Sequence, residues 1–290
     1  MLRSPLRFLL VFAFSILSAA MVGALPSRAH ADEIAPELET LALHQTAHAA
    51  LKELTSRLDA ADKRRLTGIY VAFDPNVGDA SAMAACDDDG DYVIVVSDAM
   101  LRLVTNVARA LAYDEANGSR RIDEYAEFLA RVQVPGRRLL PPPPGFFTAA
   151  KPAATFEDRQ LDAFFFVLAR ELTHLRAGDL ACPHPTATHE RGDDEWSSKE
   201  QALATETSRS LYPGRATERD AEAIVRVLDA GRSVDGTLAL LRFFERMEQE
   251  KTTHLATFSS TYLSLHPSSA MRAANVRAVA AERATTKIPR

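Results

Sequence analysis

The sequence predicts an α+β chain, mainly helical, with a small β-sheet. Three observations lead there. Apolar residues recur at three- and four-residue spacing over several long stretches, the mark of helices with one buried face. Two short runs, 68–74 and 91–97, are instead rich in Ile, Val and Tyr, as strands are. Hydrophobic residues make up 47% of 290, enough to build a real core, which excludes global disorder.

Taken in order, residues 37–60 read as one amphipathic helix, with Leu38, Leu41, Leu51, Leu54 and Leu58 on its apolar side. His44 and His48 lie four apart on it. That spacing suits a metal, but a solvated helix face is the simpler reading. Strands are expected at Gly68–Asp74 and Asp91–Ser97, with a small, acidic loop between them. Ser97 is placed to cap a helix reaching about Ala116. Gly118 and Ser119 break the chain before a helix to about Gln133, with Ile122, Tyr125, Leu129 and Val132 inward. Pro141–Pro144 halts regular structure. A helix over 161–177 follows and ends at Gly178. Residues 183–200 lack periodicity and read as a loop. Further helices are expected over 217–230 and Thr237–Lys251, and the chain frays from about Ala284.

The N-terminus reads as a secretory signal, residues 1–31. Arg3 and Arg7 precede an apolar stretch from Phe8 to Leu25, and Ala29-His30-Ala31 offers a small-x-small cleavage site. A periplasmic or secreted chain is the expectation, with an uncleaved N-terminal anchor as the rival. No Cys lies near the cut, which disfavours a lipoprotein, and no other run is long enough to span a bilayer. Cleavage after Ala31 leaves 31 basic and 39 acidic residues, a net charge of −8. An acidic chain without a basic tract is a poor nucleic-acid binder. Cys86 and Cys182 are the two cysteines, and in an exported protein an even pair defaults to a disulfide. Two free buried thiols are the alternative.

Three segments carry candidate chemistry. In Ala169-Arg170-Glu171-Leu172-Thr173-His174, a Glu and a His stand three apart at the end of the dense run Phe164-Phe165-Phe166-Val167-Leu168. Such density argues for a buried helix, and burying polar groups there needs a reason, since each unpaired one costs about 1–3 kcal/mol. Thr217-Glu218-Arg219-Asp220-Ala221-Glu222 opens the next helix, with Glu218 and Glu222 on a shared face. Its bland reading is an acidic helix start favoured by the helix dipole. Finally, Tyr262-Leu263-Ser264-Leu265-His266-Pro267-Ser268-Ser269 precedes Arg272.

Together these segments resemble metallopeptidase family forty-eight, which includes CAAX prenyl proteases, HtpX heat-shock proteases and BepA-type periplasmic relatives. A zincin sets His-Glu-x-x-His on one helix, two ligands one turn apart around a general-base Glu. Here Glu171 and His174 match, and Arg170 stands at the first ligand. The family's third ligand, a Glu within Glu-x-x-Ala-Asp, matches Glu218, and Glu222 replaces its Asp. His266 and Arg272 match the family's Thr-His-Pro-Ser-x-x-x-Arg segment. Asp91–Leu101 resembles the strand and helix start that precede the motif. The resemblance covers roughly 65–280. It implies a gluzincin-like domain over 65–283, after an N-terminal helix at 32–64 and before a frayed tail at 284–290.

The resemblance implies zinc, with His174 and Glu218 at ligand positions, Glu171 as general base, and Glu222, His266 and Arg272 around them. Arg170 is a fixed cation with no lone pair to give a metal. Zinc is therefore expected to be weak or absent. The sequence-level expectation is an exported pseudoprotease whose cleft retains extended or unfolded peptides. An active metalloendopeptidase with a substitute ligand, such as His184 or His189, is one alternative, and a purely structural domain is another. The best partner expected for Arg170 is Glu218, with Glu171 second. No Gly-x-Ser-x-Gly elbow suggests a serine hydrolase.

Overall fold

The computed structural model describes residues 28–134, 136–148, 154–180, 182, 215–253 and 268–286. The chain divides into two compact units, Met1–Glu39 and Thr40–Arg290. Of the first, residues 28–39 are described, and they are helical. Their helix, α1, spans Arg28–Ser56, and a short helix, α2 (Ala60–Arg65), follows it. Residues 1–27, with the basic and apolar parts of the expected signal, lie outside the described residues. Among the described residues no helix is long and apolar enough to cross a membrane.

The second unit is mainly helical around one small mixed sheet. Strand β1 (Tyr70–Asp74) runs parallel to β3 (Tyr92–Ser97), and β2 (Ala82–Cys86) runs antiparallel to it, giving the order β1-β3-β2. The segment expected as a loop therefore contains a strand. Ala82-Met83-Ala84-Ala85-Cys86 has no β-branched or aromatic residue, so its composition does not announce one. Its place comes from β3, whose central residue Ile94 sits opposite both Val71 and Ala84. Alternation then sorts the side chains. Val71, Ala82, Ala84, Tyr92, Ile94 and Val96 enter the main core. Ala72, Met83, Ala85, Val93 and Val95 form a second buried cluster on the opposite face.

Ser97 closes β3 and caps α3 (Asp98–Asn117), its Oγ accepting from the Met100 N–H. Gly118 ends α3 with φ 64°, which leaves the next residues free to open α4 (Arg121–Val132). Ile122, Tyr125 and Leu129 point inward as expected, but Val132, in the last turn, is exposed. The motif helix α5 (Phe156–Arg176) is buried without interruption from Asp162 to Leu175, packed between α3, α7 (Asp235–Thr253) and the sheet. Helix α6 covers 215–229, and α8 (Ser269–Thr286) packs on α7.

At the start of α7, a Cβ on Gly236 would stand 2.6 Å from the Arg159 carbonyl oxygen and 2.8 Å from the Ala163 nitrogen. Only a glycine lets the two helices approach so closely. In α1 the buried side is Leu43, Ala47, Ala50, Leu51 and Leu54, whereas Leu38 and Leu41 are exposed. The register of the smaller alanines, invisible to a count of leucines, sets the buried stripe. His44 is no solvated helix-face residue either. Its ring stacks on Phe73 at 3.7 Å and its Nε2 meets Asp98 Oδ1 at 2.8 Å, while His48 meets the same Phe73 edge-on.

Candidate functional site

Helix α5 delivers Arg170, Glu171 and His174 into the core, all three buried, with Arg170 at 0% exposure. A guanidinium cannot be neutralised by losing its proton, so it must be paired there. Its Nη1 donates to Glu171 Oε1 at 2.7 Å, and its Nε donates to Asp220 Oδ1 at 3.1 Å. Asp220 also accepts from Arg272, whose Nε lies 2.6 Å from Oδ2 and Nη2 3.0 Å from Oδ1. The other oxygen of Glu171, Oε2, accepts from the Ala84 N–H of β2 at 3.1 Å. Among the described residues two guanidiniums and two carboxylates, whose formal charges cancel, thus form a buried cluster joining α5, α6, α8 and the sheet.

This corrects the expected pairing in part. Glu171, expected second, does pair with Arg170, and Asp220 stands where Glu218 was expected. Glu218 is 67% exposed and lies 3.6 Å from Arg219. Glu171 reaches Arg170 although adjacent residues point about 100° apart around a helix, because both long side chains bend toward one space. The rotation of α6 explains the rest. Its buried positions are Ala216, Arg219, Asp220, Ala223, Ile224 and Val227, a helical stripe with Asp220 at its centre. Glu218 falls off that stripe. Glu222 lies at its border, 3.5 Å from Arg176 and 3.7 Å from Arg219. The apolar spacing of 216, 223, 224 and 227 was the available signal for Asp220.

A second hub adjoins the first. Gly178, with φ 72°, turns the chain after α5 so that the Asp179 N–H donates to the His174 carbonyl at 3.0 Å. The Asp179 carboxylate then folds back and accepts from His174 Nδ1 at 2.9 Å. It also accepts from Arg219 Nε at 2.6 Å and Nη2 at 3.0 Å, and from Arg215. Burial would raise the Asp179 carboxyl, but the hydrogen bonds from Arg219, Arg215 and His174 outweigh it and hold the pKa at about 2. Burial pushes His174 down, Arg170 adds to that, and Glu171 and Asp179 oppose it. The neutral imidazole therefore carries its proton on Nδ1, toward Asp179. Asp179, Arg215 and Arg219 were missed in the sequence. A carboxylate directly after a helix-ending glycine was the one hint.

Cys86 and Cys182 are bridged, with Cα atoms 5.4 Å apart across a sequence separation of 96. The bond ties the last residue of β2 to the chain just beyond α5. The pairing expected of the two cysteines is what the structure contains.

Among the described residues the donor set does not fit a zinc ion. The position expected for the first ligand holds a cation, Arg170. Glu171 spends one oxygen on Arg170 and the other on Ala84, and Glu218 is turned outward. Among the described residues no three His, Cys, Asp or Glu side chains group to hold a metal. His266, His184 and His189 lie outside the described residues. Comparisons with protein-family models, curated proteins and solved structures find no match to this chain.

Proposed function

We propose that this chain is an exported, non-catalytic protein on a gluzincin-like scaffold, a pseudoprotease in which guanidinium groups do the structural work of a metal. The observation that carries this reading is Arg170, fully buried and bound to Glu171 and Asp220. A metal in a peptidase neutralises inward-facing carboxylates and polarises a water for attack. Arg170 supplies the first of these and has no means of supplying the second. Glu171, the candidate base, is bonded on both oxygens and shielded from solvent. Its position supports a clasp between α5 and the edge of β2. Extended peptides that bind this scaffold must do so without the Ala84 N–H, which Glu171 already uses.

Metal analysis of the purified, exported chain is the test. Well under one zinc per chain and no chelator-sensitive peptide cleavage are expected. Stoichiometric zinc with cleavage would put the endopeptidase alternative in its place. Arg170→His is the companion variant. Increased zinc retention would identify the cluster as a former metal site and support the peptidase-like ancestry. No gain would confine the reading to a structural ionic core. Binding of an unfolded test polypeptide then separates a peptide-holding pseudoprotease from a purely structural domain.

A further inference from the structure

The cluster around Glu171 and His174 depends on two pieces of chain outside the helices. One is the outer side of β2, where the Ala84 N–H binds Glu171. The other is the turn after α5, where Asp179 binds His174, Arg215 and Arg219. The disulfide joins these two pieces. Cys86 is two residues from Ala84, and Cys182 is three from Asp179. The rest of the body is held differently. Phe164, Phe165, Phe166 and Val167 of α5 pack with Leu103, Val104 and Val107 of α3 and Leu240, Phe243 and Phe244 of α7 in one core. Cutting the sulfur–sulfur bond would remove the tie across the cluster and leave that core in place.

We propose that Cys86–Cys182 is a redox latch controlling solvent access to the Glu171–His174 cluster. The two sulfurs are not equivalent. Cys86 is half-buried, whereas Cys182 is buried with its Sγ 3.8 Å from the Ala85 carbonyl oxygen. A dithiol reductant therefore attacks Cys86 as thiolate, forming a mixed disulfide, and Cys182 departs as thiolate and takes a proton from solvent. The reductant's second thiol then displaces Cys86. The protein gains two electrons and two protons as two thiols, and the dithiol becomes a disulfide. The freed turn lets Asp179 leave His174, and the freed end of β2 lets Ala84 part from Glu171. This inference stands on the geometry of the bond and does not depend on the peptidase-like reading.

The test uses the full chain, treated with dithiothreitol under native conditions and trapped with an alkylating reagent. The expected result is two alkylated cysteines with the helical circular-dichroism signal retained. Amide exchange at Ala84 should become about ten- to hundredfold faster, the loss of one charge-assisted hydrogen bond and its surroundings. Modification of His174 by diethyl pyrocarbonate, located by peptide mapping, should rise in parallel. A Cys86→Ser/Cys182→Ser chain should match the reduced one without any reductant. Loss of the helical signal on reduction, or failure of the double variant to fold, would make the bond a structural staple and overturn the latch. A reduced, folded chain with unchanged Ala84 exchange and an unreactive His174 would overturn it equally, as would a bond that resists reduction until the protein is denatured.

Discussion

Two arginine–carboxylate networks of similar size sit in very different surroundings. Along the seam of α4 and α7, Arg242 grips Asp123 at 2.8 and 2.7 Å, with Arg120 beside it, and Arg246 bridges Glu127 and Glu250. Its arginines stay wet, Arg242 at 47% and Arg120 at 69% exposure. In the α5–α6–α8 cluster Arg170 and Arg272 are dry. The distances are alike, so geometry does not separate the networks. Solvent does. Water and ions stand ready to replace a lost partner at the seam, and nothing does so inside the cluster. A short ion pair therefore says little about stability until its access to water is known.

The largest contrast should come from removing one shared carboxylate. Asp220→Ala leaves two buried guanidiniums facing each other, and should cost about 3–5 kcal/mol in urea unfolding. A loss below about 1 kcal/mol would mean that water enters the cluster, erasing the distinction. Replacing the set together should behave oppositely. Arg170→Met, Glu171→Gln, Asp220→Leu and Arg272→Met in one chain keeps an acceptor for Ala84 while removing the four charges of this cluster. The expected outcome runs from neutral to about 4 kcal/mol more stable. Severe destabilisation of that chain would show the ionic contacts to be net favourable.

Acid should separate the regions next. Hydrogen bonds from Arg219, Arg215 and His174 hold Asp179 at about 2, below its unfolded value of 3.8. A depressed carboxyl stabilises the fold above the unfolded value, and that contribution is lost as pH falls from about 4 toward 2. Asp123 is also depressed, burial being outweighed by Arg242 and Arg120, and acts with the same sign. Asp162, raised by burial, acts against both and favours the fold at low pH. The thermal midpoint should fall most steeply below pH 4, and Asp179→Asn should flatten that slope more than Asp123→Asn does. The smallest effect should be Asp123→Asn at neutral pH, about 1 kcal/mol or less, and reduced further in 0.5 M salt.

Much of this was legible beforehand. The dense Phe164–Leu168 run announced a buried helix, Ser97 announced the start of α3, and two cysteines announced their bond. The errors share a physical origin. Strand β2 is made of residues with no strand preference, so only its neighbour β3 could place it. Reading Glu218 as the inward carboxylate followed a motif register, while the rotation of α6 follows its apolar stripe and brings Asp220 inside. In α6 the buried apolar stripe overrode a motif register, and in α1 it overrode a pattern of leucines, for Ala47 and Ala50 face the core and Leu41 does not.

The members of the buried cluster are made far apart in time. Arg170 precedes Asp220 by 50 residues, and Asp220 precedes Arg272 by 52. A chain growing from its N-terminus at about 5–20 residues per second carries Arg170 for seconds before its counter-charge exists. Glu171 alone accompanies it from the start. The core therefore cannot close around α5 until α6 arrives, and it is not balanced until α8 does. Deleting α8 removes Arg272 from Asp220, so a truncation at one end of the chain should be felt at its centre.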